Sequence, residues 1–222
     1  MKDIGLVACI EFQEVFFHGN ISSPYEFAKN WETYYPLTVL GEIGTLLNNY
    51  CKQIRSPNNY RKEIENDSAD IFIFLLTLGM MIERKKGKKV FSKIKADWSA
   101  THLQLRNESE FTKEVLSLIN NTSKLLNKDN YNEVFFLRLF KSIKAVSTYV
   151  TKRPWQEVIN NFHSYTLDKF TEFDRYTPDL WYRGSCYVNF SSLRKWIEKN
   201  KVDLPPKRLL FLSRMEKLQI SH

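Results

Sequence analysis

Between Ile71 and Ile82 the chain reads IFIFLLTLGMMI, apolar on every side, and two acids spaced i, i+3, Asp67 and Asp70, stand at its entrance. A run that is apolar all round is a buried helix, and i, i+3 acids share one helix face. The spacing predicts a long helix from about Tyr60 to Glu83. Upstream, Val39, Ile43, Leu46, Leu47 and Tyr50 keep helical spacing and predict a helix over Leu37–Arg55. Ser56, Pro57, Asn58 and Asn59 separate the two with turn and cap residues. A further helix is expected over Pro24–Tyr34, started by Ser22-Ser23-Pro24 and ended by Pro36. Helical spacing returns over Glu110–Leu126, Tyr131–Thr151, Pro154–Asp174 and Ser191–Lys199. Pro205-Pro206 precedes a basic amphipathic tail, Lys207–Leu218. Ile4–Phe17 fits either a helix or a strand, and residues 90–109 are ambiguous. The fold class is all-α, a helical bundle. It divides into a lead-in segment (1–36), a bundle (37–176) and a C-terminal helical extension (177–222).

One stretch echoes another. Leu46-Leu47-Asn48-Asn49 with Lys52 recurs as Leu118-Ile119-Asn120-Asn121 with Lys124, and Glu42 and Thr45 then fall on Glu114 and Ser117. Asn130-Tyr131 follows as Asn59-Tyr60 does, but neither Asp67 nor Asp70 has a counterpart within Phe135–Lys144. Two readings stay open: coincidence in a low-diversity helical sequence, or a pseudo-repeat over 110–151 that has lost acidic ligands.

Composition narrows the picture only slightly. The 222 residues are 43% hydrophobic, enough for a real core, and with only 7 Gly and 7 Pro few turns are signalled. A net charge of +8 favours polyanionic partners without choosing among them. Three scattered cysteines, Cys9, Cys51 and Cys186, suggest neither a disulfide framework nor a zinc cluster. The N-terminus makes a poor signal peptide, and the apolar run is far short of the ~20 residues of a membrane span. A soluble, cytoplasmic protein without a membrane partner is the expectation. No Walker loop, nucleophile elbow, Cys-His grouping or metal-like histidine spacing is present.

The chemistry lies with the acids. Carboxylates carried toward a core need a cation or metal, and two neighbouring helices that both bring acids make a Mg²⁺ site. Glu42, Asp67 and Asp70 are the candidate ligands. Glu63, one turn before Asp67 on the same face, is a substitute ligand or base. Lys52 lies a quarter-turn round the helix from Glu42 and, with Arg55, is a candidate for phosphate contact. Asn48 is placed to bond a base edge, and Trp31, Tyr34 or Phe74 to stack on one.

Gly41-Glu42-Ile43-Gly44-Thr45 with Asn48 and Lys52, and Asp67-Ser68-Ala69-Asp70 followed by IFIFLLTLG, resemble the two acidic helices of the MazG-like all-α NTP pyrophosphohydrolases. Lys169-Phe170-Thr171-Glu172 with Arg175 is similar to a late basic segment of that family. The match is good over 38–84 and loose over 155–176. The resemblance implies Mg²⁺-dependent hydrolysis of a nucleoside triphosphate to monophosphate and pyrophosphate, with Mn²⁺ as a substitute metal. It also implies Lys169 and Arg175 as substrate contacts, and a homodimer unless the pseudo-repeat supplies both halves within one chain. Two departures stand out. Thr45 replaces a family Glu, and Asp67 shortens another. The alternatives are a catalytically weakened nucleotide sensor on the same fold and, ranked last, a basic helical nucleic-acid-binding protein.

Overall fold

The computed structural model describes residues 5–22, 30–57, 59–97, 103–161, 163 and 190–220. Among them regular structure is helical throughout, with no strand, as the periodicity indicates. The helices are α1 (Leu6–Ser22), α2 (Trp31–Arg55), α3 (Arg61–Lys86), α4 (Ser92–Asp97), α5 (Glu108–Lys124), α6 (Glu133–Thr151), α7 (Phe190–Lys199) and α8 (Pro206–Ile220). Residues 155–161 are also helical. The remainder of the helix expected over Pro24–Tyr34 and of the one expected over Pro154–Asp174 lies outside the described residues.

Two units make up the chain. The larger spans Asn30–Ile159 and the smaller combines Met1–Lys29 with Asn160–His222. In the larger, α2 packs along α3, α5 along α6, α3 on α6 and α2 on α5, so two helical hairpins close a four-helix ring. Its core is the apolar run read in the sequence. Ile71, Phe72, Leu75, Leu76 and Leu78 of α3 are fully buried, as are Phe136, Leu139 and Ile143 of α6. Phe72 meets Phe140 and Trp155 edge-on, at ring centroid distances of 5.4 and 5.2 Å. Glu65 and Arg153 pair at 3.2 Å, which sets the start of α3 beside the end of α6.

Pro36 does not end a helix. The chain is helical from Trp31 through Pro36 to Arg55. Pro36 sits in the second turn, where it removes one bond, to the Glu32 carbonyl. Trp31, Tyr35 and Pro36 are all buried, and burial of two large aromatics, roughly 1.5–3 kcal/mol each, matches the ~3 kcal/mol cost of an internal proline. Glu32 is held there by Lys86 at 3.0 Å and Lys128 at 2.8 Å.

The other ends follow local chemistry. Asn107 accepts from the Glu110 N–H at 3.0 Å, while Glu110 reaches back to the Arg106 N–H at 2.8 Å, so the start of α5 is capped from both sides. Asn132 caps α6 through the Phe135 N–H at 3.0 Å. Gly87 closes α3 in the left-handed region, φ 64°, where a side chain would be strained. Glu83 then takes the N–H groups of Val90 and Phe91 at 2.9 and 3.0 Å and turns the chain toward α4.

In the smaller unit α7 packs against both α1 and α8. The Trp196 indole donates to the Ala8 carbonyl at 2.9 Å, Lys199 pairs with Glu11 at 2.6 Å, and Arg194 reaches Glu216 at 3.2 Å. Phe12 packs on both Trp196 and His163, at 4.7 Å each. Ile4–Phe17, open between helix and strand in the sequence, is helical from Leu6. No helix among the described residues is long and apolar enough to cross a membrane.

Gly79 packs directly against the Phe91 ring. A Cβ there would lie 2.5 Å from Phe91 Cζ and 2.9 Å from its Cε1. Alanine favours a helix over glycine by about 1 kcal/mol, but overpacking costs about 1–3 kcal/mol. The net of about 0–2 kcal/mol means that Gly79→Ala should lower Tm by up to about 8 °C, and Phe91→Leu in that background should recover part of the loss. Thermal melts of the two variants check this, and a Gly79→Ala melt at or above wild type would show that the Phe91 ring yields freely.

Candidate functional site

α2 and α3 run along one another, joined by the short turn after Arg55, so residues from both line one seam. On α2, Glu42 and Asn49 are seven residues apart. That is two turns, and puts them in line on one face. On α3, Glu63, Asp67 and Asp70 fall within an arc of about 60°. The Asn49 side-chain amide donates to Asp67 Oδ2 at 2.8 Å across the seam. Asp67 is 8% exposed, Glu42, Asn49 and Asp70 are half-buried, and Glu63 is exposed.

The electrostatics are those of acids crowded against a core. Burial pushes the Glu42 carboxyl above its ordinary value, and the neighbouring Asp67 charge pushes it further. Burial also raises Asp67; the Asn49 hydrogen bond offsets part of this and the Glu63 charge adds to it. Among the described residues no lysine or arginine forms an ion pair with Glu42, Glu63 or Asp67. The donors are carboxylate and amide oxygens, hard ligands that fit Mg²⁺, an ion that uses one or two protein carboxylates and keeps several waters. Among the described residues no group of three or more His, Cys, Asp or Glu side chains is placed to hold a metal ion.

The remaining sequence candidates are distributed as follows. Lys52 and Arg55 are exposed in the last turn of α2, and Lys52 Nζ lies 5.5 Å from the centre of the Tyr60 ring. Asn48 is exposed, about 120° round the helix from Glu42. Thr45 donates its hydroxyl to the Gly41 carbonyl of its own helix at 3.2 Å, so it does not replace the acid of the resembled motif. Phe74 is half-buried against Tyr35, ring centroids 6.3 Å apart. Tyr34 is 42% exposed and edge-on to Tyr35. Trp31 was expected as a stacking platform, but at 4% exposure it is core, stacked on Tyr131 at 6.2 Å. Lys169 and Arg175 lie outside the described residues.

The sequence reading chose Asn48 and passed over Asn49. The signal was present: the seven-residue step from Glu42 ends on Asn49. The echo also has a structural counterpart, because the repeated stretches are the first helices of the two hairpins. The offset that carries Glu42 onto Glu114 carries Asp70 onto Ser142. Ser142 donates its hydroxyl to Glu114 across α5 and α6. In the second hairpin that register is held by a neutral donor and an acid, where the first has two acids.

Compared with family models, curated proteins and solved structures, the chain matches none. The likeness to the MazG-like family rests on the motif residues alone.

Both Glu42 and Asp67 hold a proton more tightly in the folded chain than in the unfolded one. Between the ordinary carboxylate range and their raised values the folded state binds more protons. Stability therefore falls as pH rises through that window, and the loss is complete above it. We expect Asp67→Asn, in the presence of chelator, to melt above wild type at pH 7 by about 2–4 °C. The advantage should vanish in acid below the ordinary carboxylate range. Melting temperature against pH for the two proteins decides it; an Asp67→Asn variant that melts lower at pH 7 would contradict the assignment.

Proposed function

We propose that this chain is a Mg²⁺-dependent nucleotide pyrophosphohydrolase that cleaves a nucleoside triphosphate to monophosphate and pyrophosphate. The observation that carries the reading is the acidic seam. The Asp67 charge acts on half-buried Glu42 and the Glu63 charge acts on buried Asp67, with no basic ion-pair partner for any of the three among the described residues. An arrangement that destabilises the apo chain is a sign of function, and the motif residues of α2 and α3 supply the reaction class by resemblance.

In this reading Glu42, Asp67 and Asp70 hold the metal. Bound there, Mg²⁺ supplies neutralisation of the triphosphate charge and makes a nearby water easier to deprotonate. Lys52 and Arg55, exposed at the end of α2, bind phosphate oxygens and hold the chain of phosphates in line. Glu63 is exposed yet close enough to act on Asp67, so it accepts the proton of the attacking water. The water oxygen bonds to the α-phosphorus, the α–β bridging bond breaks, and pyrophosphate leaves with the electron pair.

A second reading has an observation of its own. Thr45 is bonded back to Gly41, and among the described residues no three acids are placed to hold a metal ion together. Both suit a descendant that binds nucleotide and turns it over poorly or not at all.

The test is pyrophosphate release from a panel of NTPs and dNTPs with Mg²⁺ and with Mn²⁺, for wild type and Asp70→Ala together. We expect release from at least one nucleotide and a fall of at least about 100-fold in Asp70→Ala. No release from any member would overturn the enzymatic reading. Calorimetric nucleotide binding without turnover or metal dependence would then establish the second.

A further inference from the structure

We infer that the end of the larger unit built from the α3–α4 turn and the α5–α6 turn is a binding surface for the phosphate backbone of a nucleic-acid duplex. The surface is separate from the acidic seam. Residues 84–93 hold six lysine and arginine residues and no acid, and all six are exposed. Lys124 and Lys128, also exposed, come from the second turn. Glu32 ties the two turns together: Lys86 meets its Oε1 at 3.0 Å and Lys128 its Oε2 at 2.8 Å. Lys88 Nζ lies 3.4 Å from the Lys128 carbonyl oxygen, so ammonium groups of both turns converge over one carboxylate. Over residues 83–93 and 124–133 together with Glu32, eight basic residues stand against four acids, Glu32, Glu83, Asp129 and Glu133. That is +4 of the chain's net +8 in 22 of its 222 residues. Glu83 is moreover turned away, to the Val90 and Phe91 N–H groups.

Basic residues in a helix's last turn complement its dipole, which accounts for Lys85, Lys86 and Lys124. Lys88, Lys89 and Lys128 lie beyond the helix ends, where that reason lapses. Concentrated positive charge of this kind is the electrostatic footprint of a polyanion site. The rest of the surface narrows the partner. Lysine bonds phosphate as a point charge, without the fork with which arginine reads guanine, so the contact is to the backbone and indifferent to sequence. Val90, Phe91, Leu125 and Tyr131 of these turns are buried. No aromatic platform is left on which unpaired bases could stack, which favours a duplex over a single strand. Leu126, 45% exposed, is the one large apolar side chain that these turns show, far less than the apolar face that seats a protein on lipid.

The experiment follows the fluorescence anisotropy of a short labelled DNA duplex of mixed sequence as the full chain is added, at salt concentrations from about 50 to 200 mM. The proteins are wild type, the double variant Lys88→Gln/Lys89→Gln, and the control Arg106→Gln/Lys113→Gln, which removes the same charge toward the opposite end of α5. All four side chains are exposed, and melting temperatures are recorded alongside. Lys124→Gln repeats the test from the second turn should the first variant fold poorly. We expect wild-type affinity to fall steeply with salt. The Lys88/Lys89 variant should bind about 10–100-fold more weakly at the lowest salt, with a salt slope shallower by about 2, and Lys124→Gln should lose about 1 from the slope. The control should match wild type. Absence of duplex binding by wild type, or an equal loss in the control, would overturn the inference. So would tighter binding to the labelled single strand than to the duplex, or binding to phosphatidylserine vesicles in place of the duplex.

Discussion

The charge of Asp67, held at the mouth of the apolar run of α3, is the constraint on which the first hairpin of the larger unit turns. Taking a carboxylate out of water costs several kcal/mol even after relaxation. One hydrogen bond to a charged group returns about 1.5–3 kcal/mol. Asn49 therefore covers part of the cost and the Glu63 charge adds to it. The rest is supplied by the run that follows. Ile71, Phe72, Leu75, Leu76 and Leu78 are buried completely, at roughly 1.5–3 kcal/mol each. That surplus explains how one helix carries both the unit's core and its least comfortable charges. It also explains why the acids sit at the mouth of the run, where water still reaches Glu63.

The four-helix ring makes the same argument by contrast. Its two hairpins share a register, yet one seam holds Glu42, Asp67 and Asp70 and the other holds Glu114, Leu139 and Ser142. In the second, the lone acid receives a hydroxyl hydrogen bond from the facing helix and the position matching Asp67 is plain core. A hairpin of this shape thus packs without an acid at the positions of Asp67 and Asp70. Their presence in the first seam calls for a reason other than folding, and a divalent cation is one that reverses the sign of their mutual repulsion.

Much of this was legible in the chain before folding. The approximate extents of α3, α5 and α6 follow from apolar spacing, but the caps that fix two of their starts, Asn107 and Asn132, were not read from it. Pro36 was misread because the cost of a proline is local while its compensation is tertiary. Nothing in the sequence says that Trp31 and Tyr35 will both be buried beside it. Trp31 was misjudged as a platform for the same reason: an aromatic at helical spacing looks alike whether it faces a cleft or Tyr131. Asn49 is a different case. Its seven-residue step from Glu42 was visible, but the neighbouring Asn48 belonged to the resembled motif and drew the assignment. Which amide faces an acid depends on how two helices register, and that is settled by packing.

Thr45 is where the physical reasoning bears hardest on activity. A second acid on α2, one turn from Glu42, would have added another charge to a seam in which Asp67 raises the proton affinity of Glu42 and Glu63 that of Asp67. With Thr45 the hydroxyl turns to the Gly41 carbonyl, and the seam carries less charge. Fewer carboxylates leave more of a Mg²⁺ ion's positions to water and to substrate oxygens, which is how that ion is usually held beside phosphates. On the proposed reading, the replacement would lower affinity for the free ion more than for the ion already bound to a triphosphate, and an acid missing from the resembled motif would be compatible with turnover.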